Sequence, residues 1–305
     1  MRGSSARLFA VAVAIWGTTW IAITFQLGRA PPEASVALRF AIASAILLGW
    51  CAATGRRLRF PAAVHAELAL LGLFMFCLSY LAVYRAETHL VSGLVAVGYS
   101  ASPLVNAAIS RIAFGTPAPR RVLGGGLLGM AGIALVFWPE IRRVRADAGI
   151  ATGALLVAAA VLASGIGNVF ASRAERLGLD VWQKMAWGMA WGAGASLLAA
   201  VATGEPLRFD PTPAYLASLL YLAVFGSILA FAAYLTLLER VGAARAGYVG
   251  VMTPVVALAV SGVVEGFAWG PTTLAGIAVV VAGNLLVLRR PAEKIRLNGS
   301  ASADK

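Results

Sequence analysis

The sequence predicts an all-α membrane protein whose ten transmembrane helices form two inverted repeats of five helices each. Three observations lead to this prediction: an apolar composition, apolar runs of about 20 residues along the whole chain, and a correspondence between the two halves. Of the 305 residues, 60% are hydrophobic and 12% are charged, and the mean hydropathy is +0.83. Soluble domains are far less apolar, so the expected solvent is a lipid bilayer.

The apolar runs define the predicted spans, because about 20 apolar residues cross the ~30 Å hydrocarbon core as one helix. They lack the period-two alternation of a membrane barrel. The first run, Leu8 to Leu27, is longer than the core of a cleaved signal peptide. The ten spans are residues 8–28, 33–54, 64–84, 90–112, 120–138, 150–173, 181–203, 213–237, 243–265 and 271–289.

These spans divide the chain into a first five-helix repeat (1–145), a second five-helix repeat (146–290) and a tail (291–305). The tail is polar and rich in small residues, so it is expected to be disordered and cytoplasmic. Glycines in spans five and seven predict close packing within the chain, and ten spans offer enough internal partners for a monomer.

The basic residues orient the chain. With the N-terminus inside, six of the 25 Lys and Arg residues fall on the outer side: Arg29, Arg85, Arg142, Arg143, Arg145 and Arg208. This bias predicts that both termini are cytoplasmic, although the cluster at residues 142–145 runs against it. The net charge of +12 is spread between apolar runs, so no nucleic-acid partner is expected.

The two halves match at an offset of about 150 residues. An offset of 151 aligns Pro103 with Pro254 and Ser110 with Ser261, and an offset of 150 aligns Tyr84 with Tyr234. Because each half contains an odd number of spans, the second half enters the membrane from the opposite face, as in many secondary transporters. Chance matching among common small residues is the alternative.

Specific motifs extend this reading. The chain has WGTTW at residues 16–20 and Tyr84 followed 19 residues later by Pro103, with an echo in Tyr234 and Pro254. With its five-plus-five spans, it resembles the EamA family of drug/metabolite transporters over nearly its whole length. It is most similar to the bacterial aromatic amino-acid exporters of that superfamily. The resemblance implies an inner-membrane secondary transporter that exports aromatic and other neutral amino acids and related metabolites by alternating access through a central cavity.

Polar and aromatic side chains within the spans form the predicted substrate site. Amide and hydroxyl groups can bind the charged ends of an amino acid, and aromatic rings can contact its side chain. The predicted substrate-binding residues are Trp16, Thr19, Tyr99, Ser100, Ser102, Asn106, Asn168, Tyr248 and Met252. Interfacial anchoring or packing remains the alternative for the tryptophan.

Two prolines and two tyrosines have equivalent positions in the halves. Pro103 and Pro254 are predicted helix kinks, since each removes a backbone hydrogen bond and the freed carbonyl can line a cavity; a static packing bend is the alternative. Tyr84 and Tyr234 are gate candidates, predicted near the outer end of span three and the inner end of span eight. Anchoring in the aromatic belts is the alternative for them.

Charged groups are scarce inside the spans. No Asp, Glu, Lys or His lies near the middle of a predicted span, so no proton relay is expected and the solute can move by facilitated diffusion or exchange. Arg39 is the deepest charge. It is expected to snorkel or to form an interhelical hydrogen bond in preference to binding a substrate carboxylate. Glu239, at a span end, is expected to be solvated.

Other function classes fit less well. An intramembrane protease needs a nucleophile and a base at similar depth, but both histidines lie at span ends, so no enzyme is expected. A channel is disfavoured because the sequence contains no filter-like motif. A nucleotide-sugar transporter would need a deep cationic cluster, which the sequence also lacks. Cys51 and Cys77 lie in apolar runs and predict neither a disulfide nor a metal site, and no cofactor is expected.

Overall fold

A computed structural model of the chain describes residues 3–90, 92–117, 120–136, 138, 148–204, 208, 210–264 and 270–288. Across these residues the regular structure is helical and no strand occurs, which confirms the all-α prediction. The helices are α1 (Gly3–Thr24), α2 (Pro32–Ala53), α3 (Ala62–Ala86), α4 (Ser92–Gly98), α5 (Ser102–Phe114), α6 (Arg120–Val136), α7 (Ala148–Arg176), α8 (Val181–Thr203), α9 (Pro213–Val241), α10 (Ala243–Val264) and α11 (Pro271–Leu288).

Seven of the described helices are long and apolar enough to cross a membrane: α1, α2, α3, α7, α8, α9 and α10. The other three predicted spans also contain helix. Span four is divided between α4 and α5, span five contains the 17-residue α6, and span ten contains α11. The membrane-protein prediction is supported, while the count of ten spans and the inverted repeat stay predictions. The tail and the basic cluster at residues 142–145 lie outside the described residues.

Local sequence sets the helix ends. At the start of α8, the Asp180 side chain accepts the Gln183 backbone N–H at 2.9 Å, and the Gln183 side chain accepts the Asp180 N–H at 2.9 Å. This reciprocal cap satisfies two backbone donors that the first helical turn leaves free. Pro32 and Pro213 occupy the first turns of α2 and α9, where a missing N–H costs nothing. Gly204 ends α8 with a φ of 70°, a conformation that glycine adopts without strain.

Glycines bring helices of the two halves into close contact. A methyl group at Gly132 of α6 would lie 2.7 Å from the Gly276 carbonyl oxygen of α11. In the same way, a methyl group at Gly72 of α3 would lie 2.5 Å from the Gly188 carbonyl oxygen of α8. Backbones approach this closely only where side chains are small, so these glycines pack within the chain.

Helices α3 and α9 each contain a π-helical segment, at Gly72–Leu78 and Leu222–Leu229. The two segments begin 150 residues apart. A π-helical turn contains an extra residue and shifts the usual hydrogen-bond pattern, which exposes backbone and hydroxyl groups to other partners. Neither segment contains a proline, and neither was predicted.

Two ion pairs include a buried charge. Lys184 in the first turn of α8 is fully buried and pairs with Glu239 near the end of α9. The expectation that Glu239 is simply solvated is therefore wrong, because its carboxylate offsets the cost of burying the ammonium group. In the first half, Glu33 in the first turn of α2 is buried and pairs with the more exposed Arg85 at the end of α3.

Candidate functional site

A cavity with about 750 Å³ of empty volume, its opening included, lies between helices of both halves. The described residues that line it are Trp16, Thr19, Trp20, Ile23, Arg39, Met75, Ser79, Tyr80, Val83, Tyr99, Ser102, Asn106, Ser164, Phe231, Tyr234, Gly247, Gly250 and Thr253. They come from α1, α2, α3, α5, α7, α9, α10 and the 3₁₀ turn between α4 and α5.

Aromatic rings form much of the wall. The Trp16 ring packs edge-on against Phe231, with centroids 5.0 Å apart, and lies 5.2 Å from the Tyr234 ring. Trp20 packs edge-on against Tyr99 at 5.5 Å. Edge-to-face pairs at these distances are favourable beyond the area they bury, so the wall is a rigid apolar surface suited to a flat or apolar ligand group.

The π-helical segment of α9 fixes the orientation of Trp16. The Trp16 indole Nε1 donates to the Gly226 carbonyl oxygen at 3.0 Å, within that segment. The neighbouring Thr19 hydroxyl donates to the Trp16 carbonyl oxygen at 2.9 Å and is therefore occupied inside α1. In contrast, the indole Nε1 of Trp20 is buried without a hydrogen-bond partner.

A cluster of amide side chains lies beside Tyr234. Asn168 of α7 donates from Nδ2 to the Asn106 Oδ1 at 3.2 Å and to the Tyr234 hydroxyl oxygen at 2.9 Å. Asn106 of α5 in turn donates to the Ala243 carbonyl oxygen at 3.2 Å. Because the Tyr234 oxygen accepts a hydrogen bond, its own hydroxyl hydrogen can be donated into the cavity.

A second polar chain surrounds Tyr99. The Ser79 hydroxyl donates to the Ala160 carbonyl oxygen at 3.0 Å, so the Tyr99 hydroxyl, 2.9 Å away, is the donor to Ser79. Ser102 donates to the Tyr99 carbonyl oxygen at 2.5 Å. That carbonyl is the one that Pro103, four residues later, cannot bond. The backbone N–H of Ser102 donates to the same carbonyl, so Ser102 supplies both hydrogen bonds where the proline can supply none.

Six predicted residues line the cavity: Trp16, Thr19, Tyr99, Ser102, Asn106 and the gate candidate Tyr234. The other four predicted ligands lie outside the described lining. Asn168 is behind Asn106 and Tyr234, Ser100 is buried, Met252 is half-buried, and the Tyr248 hydroxyl donates to a backbone carbonyl of α6 at 2.7 Å. Their part in binding stays a prediction.

The remaining predicted positions border helix irregularities or lie away from the cavity. Pro103 is in the first turn of α5, directly after the 3₁₀ turn Tyr99–Ala101. Pro254 lies inside α10, four residues after the lining residue Gly250. Tyr84 is buried outside the described lining, and its hydroxyl donates to the Gln26 Oε1 at 2.9 Å.

Arg39 is the lining residue to which the sequence analysis gave too little weight. Its side chain is 1% exposed, and Nε donates to the Ser227 hydroxyl at 2.9 Å across to α9. The guanidinium carbon lies 4.6 Å from the Tyr80 ring centroid and 5.4 Å from that of Phe40. The expected interhelical hydrogen bond is confirmed, and the side chain does not snorkel. The sequence already indicated that Arg39 could be functional, since a charge inside a span marks a functional position by default.

Comparisons with known proteins agree with this arrangement. The model of the EamA-like transporter family matches residues 4–138 and again residues 151–289, once in each half. The "Uncharacterized inner membrane transporter YedA" of Escherichia coli (strain K12) is 30% identical over 253 residues, covering 82% of this chain and 79% of that protein. The "Protein PagO" of Salmonella typhimurium is 28% identical over 97 residues, 32% of each chain. A solved crystal structure aligns with a TM-score of 0.75 over 94% of this chain and 97% of its own; at 21% identity it shows the fold alone.

Proposed function

Because the chain belongs to the EamA-like transporter family, we propose that it is a secondary transporter that exports neutral amino acids, aromatic ones included, and related small metabolites. It is a multi-pass membrane transporter, placed in the inner membrane on the strength of its relatives and its apolar helices. The observation that carries the substrate class is the cavity itself. Its aromatic walls suit an apolar side chain, and its hydroxyl and amide groups suit the polar ends of an amino acid.

Alternating access is the proposed mechanism, since both halves contribute to the cavity. The paired π-helical segments and the two matches of one family model support a repeat in the chain. With an odd number of spans in each half the repeats are inverted, and a site between inverted repeats can open to either face in turn. Tyr84 and Tyr234 are the proposed gates, and both termini are proposed to be cytoplasmic.

Transport without strict proton coupling follows from the cavity chemistry. The described lining residues include no Asp or Glu that could carry a proton through the membrane. They include one cation, Arg39, whereas recognition of a nucleotide-sugar diphosphate uses several charge-assisted hydrogen bonds. Facilitated diffusion or exchange of a small neutral amino acid therefore fits the site better than nucleotide-sugar transport.

Counterflow in liposomes tests this proposal. Purified protein should take up labelled phenylalanine in a saturable manner when unlabelled phenylalanine is loaded inside, with or without a pH gradient. Strict dependence on an imposed pH gradient would contradict uncoupled transport, and unsaturable conductance would indicate a channel. Trp16→Phe should weaken apparent affinity by about 1 kcal/mol because the bond to the Gly226 carbonyl is lost. Trp50→Phe is the matched control, since Trp50 is 52% exposed on the bundle surface.

Labelling of an introduced cysteine tests the orientation. A cysteine at Asp210, between α8 and α9, should react with a membrane-impermeant reagent from the periplasmic side. Reaction only from the cytoplasm would overturn the proposed topology.

A further inference from the structure

We infer that Arg39 is the carboxylate-binding group of the cavity, and that the cavity takes aromatic and apolar carboxylates whether or not they carry an amino group. The inference rests on the proposed transport function and names the chemical group of the substrate that the cavity recognises. It starts from one observation that the transport proposal does not use: a buried guanidinium group that lines the cavity and still has a free donor.

Arg39 is a buried charge without an anion. Its side chain is 1% exposed, and among the described residues it takes part in no ion pair. Its Nη1 atom is buried and has no hydrogen-bond partner. An unpaired buried charge is costly, and the bond to Ser227 and the ring contacts with Tyr80 and Phe40 offset only part of that cost. A ligand carboxylate would supply the missing anion.

The guanidinium group is held in place before any ligand arrives. Nε is bound to Ser227, and the guanidinium group also interacts with the hydroxyls of Tyr80 and Tyr84. Nη1 remains without a partner and is the donor left for a ligand. The guanidinium carbon lies over the Tyr80 ring, 4.6 Å from its centroid. A methyl group at Gly226 would lie 3.0 Å from Nη2, so the glycine of the π-helical segment leaves room for this group. A fixed planar fork matches the two oxygens of a carboxylate.

The same site offers no counter-charge for an amino group. The described lining residues contain no Asp or Glu, so an ammonium group would meet only hydroxyl, amide and carbonyl dipoles. It would also lie in the field of the Arg39 cation, and like charges repel strongly where water is excluded. The carboxylate is therefore the charged group that the cavity requires, and the amino group is dispensable.

Three ligands of similar size separate these requirements: L-phenylalanine, 3-phenylpropanoate, which lacks the amino group, and phenethylamine, which lacks the carboxylate. Binding to the purified full chain in detergent can be followed by intrinsic tryptophan fluorescence, since Trp16 and Trp20 line the cavity, and by the ligand-dependent shift in Tm. The wild type should bind 3-phenylpropanoate at least as tightly as phenylalanine and should not respond to phenethylamine.

Substitutions assign the effect to the guanidinium group. Arg39→Gln should weaken binding of both carboxylates by about 10- to 100-fold, the usual effect of losing a charge-assisted hydrogen bond. Arg39→Lys keeps the charge but loses the planar fork, so it should retain part of the affinity. Arg29→Gln is the matched control, because Arg29 is a 40% exposed arginine that pairs with Asp210 away from the cavity, and it should bind like the wild type.

Several results would overturn the inference. They are equal binding by Arg39→Gln and the wild type, phenethylamine binding as tight as that of phenylalanine, or the same response to chloride at equal concentration. If Arg39→Gln does not fold, binding of the three ligands to the wild type still tests the inference. Phenylalanine counterflow that persists unchanged in Arg39→Gln would refute this inference and leave the transport proposal standing. Binding of 3-phenylpropanoate without any phenylalanine counterflow would support this inference and contradict the transport proposal.

Discussion

Tyr84 and Tyr234 lie 150 residues apart, one in each half, and each forms a hydrogen bond with an amide side chain in different surroundings. Each is buried, and each hydroxyl is bonded to an amide side chain in or just after the first helix of its own half, Gln26 after α1 and Asn168 in α7. Tyr234, however, also lines the cavity and packs against Trp16, whereas Tyr84 is outside the described lining. A tyrosine–amide bond thus occurs in each half, while the surroundings of the two tyrosines differ.

The buried ion pairs show the same contrast with the charges exchanged. In the first half the buried member is the anion Glu33, paired with Arg85. In the second half it is the cation Lys184, paired with Glu239. Glu33 and Lys184 are 151 residues apart, each in the first turn of the second span of its half. In each half the pair joins the helix of the second predicted span to that of the third, so the loss of stability on breaking each pair can be compared between the halves.

The largest expected effect comes from neutralising the less buried member of each pair. Arg85→Gln leaves Glu33 without its partner in the ion pair, and Glu239→Gln does the same to Lys184. Both should lower the free energy of unfolding by about 2–4 kcal/mol, somewhat less than for a pair with two buried members. Equilibrium unfolding in mixed detergent micelles measures this. If the halves are equivalent, the two losses should agree.

The matched control is the pair of Arg29 with Asp210, which has no fully buried member. Arg29→Gln should change stability far less, because no fully buried charge loses its partner. The double variant Lys184→Met with Glu239→Gln should recover much of the loss, since no unpaired charge remains. A loss confined to one half would mean that the two pairs are not equivalent in energy.

The next largest effect tests the contact between halves. Gly132 of α6 and Gly283 of α11 are 151 residues apart, and a methyl group on either would lie within 2.8 Å of a backbone oxygen of the facing helix, that of Gly276 or Gly125. Each substitution to alanine should cost about 1–3 kcal/mol through overpacking, and the two costs should be similar. The same unfolding assay applies. Gly49→Ala is the control, because a methyl group there meets nothing within 4 Å and should be neutral or slightly stabilising.

The fold was the easier part to predict, because apolar runs and their breakers are local features of the sequence. The apolar run that became α9, for example, has a proline in its first turn and a glycine directly after its end. The π-helical segments inside α3 and α9 contain no proline or charge. Because they form where helices meet, no local sequence pattern predicts them.

The site was only partly predictable for the same reason. Trp16, Tyr99 and Asn106 stood out as polar or aromatic groups within spans, and the structure places them together. Phe231 looked like any other apolar residue, since its place on the wall depends on the packing of α9 against α1. Arg39 was near enough to a span end to suggest snorkelling; only the tertiary structure, with Ser227 beside it, reveals that it points inward.

The smallest effect expected returns to the two tyrosines and asks whether their bonds act as gates. Tyr84→Phe removes the hydroxyl that donates to Gln26, and Tyr234→Phe removes the one that accepts from Asn168. Each lost bond should shift the balance between the two access states by about 0.5–1.5 kcal/mol. The proposed topology places Tyr84 at the outer end of its span and Tyr234 toward the inner end, so Tyr84→Phe should favour outward opening and Tyr234→Phe inward opening. Reporter cysteines on each side of the cavity, labelled by impermeant reagents, measure both states. Opposite shifts would support a pair of gates, shifts in the same direction would separate the repeat from the mechanism, and unchanged accessibility in both variants would leave the tyrosines as packing residues.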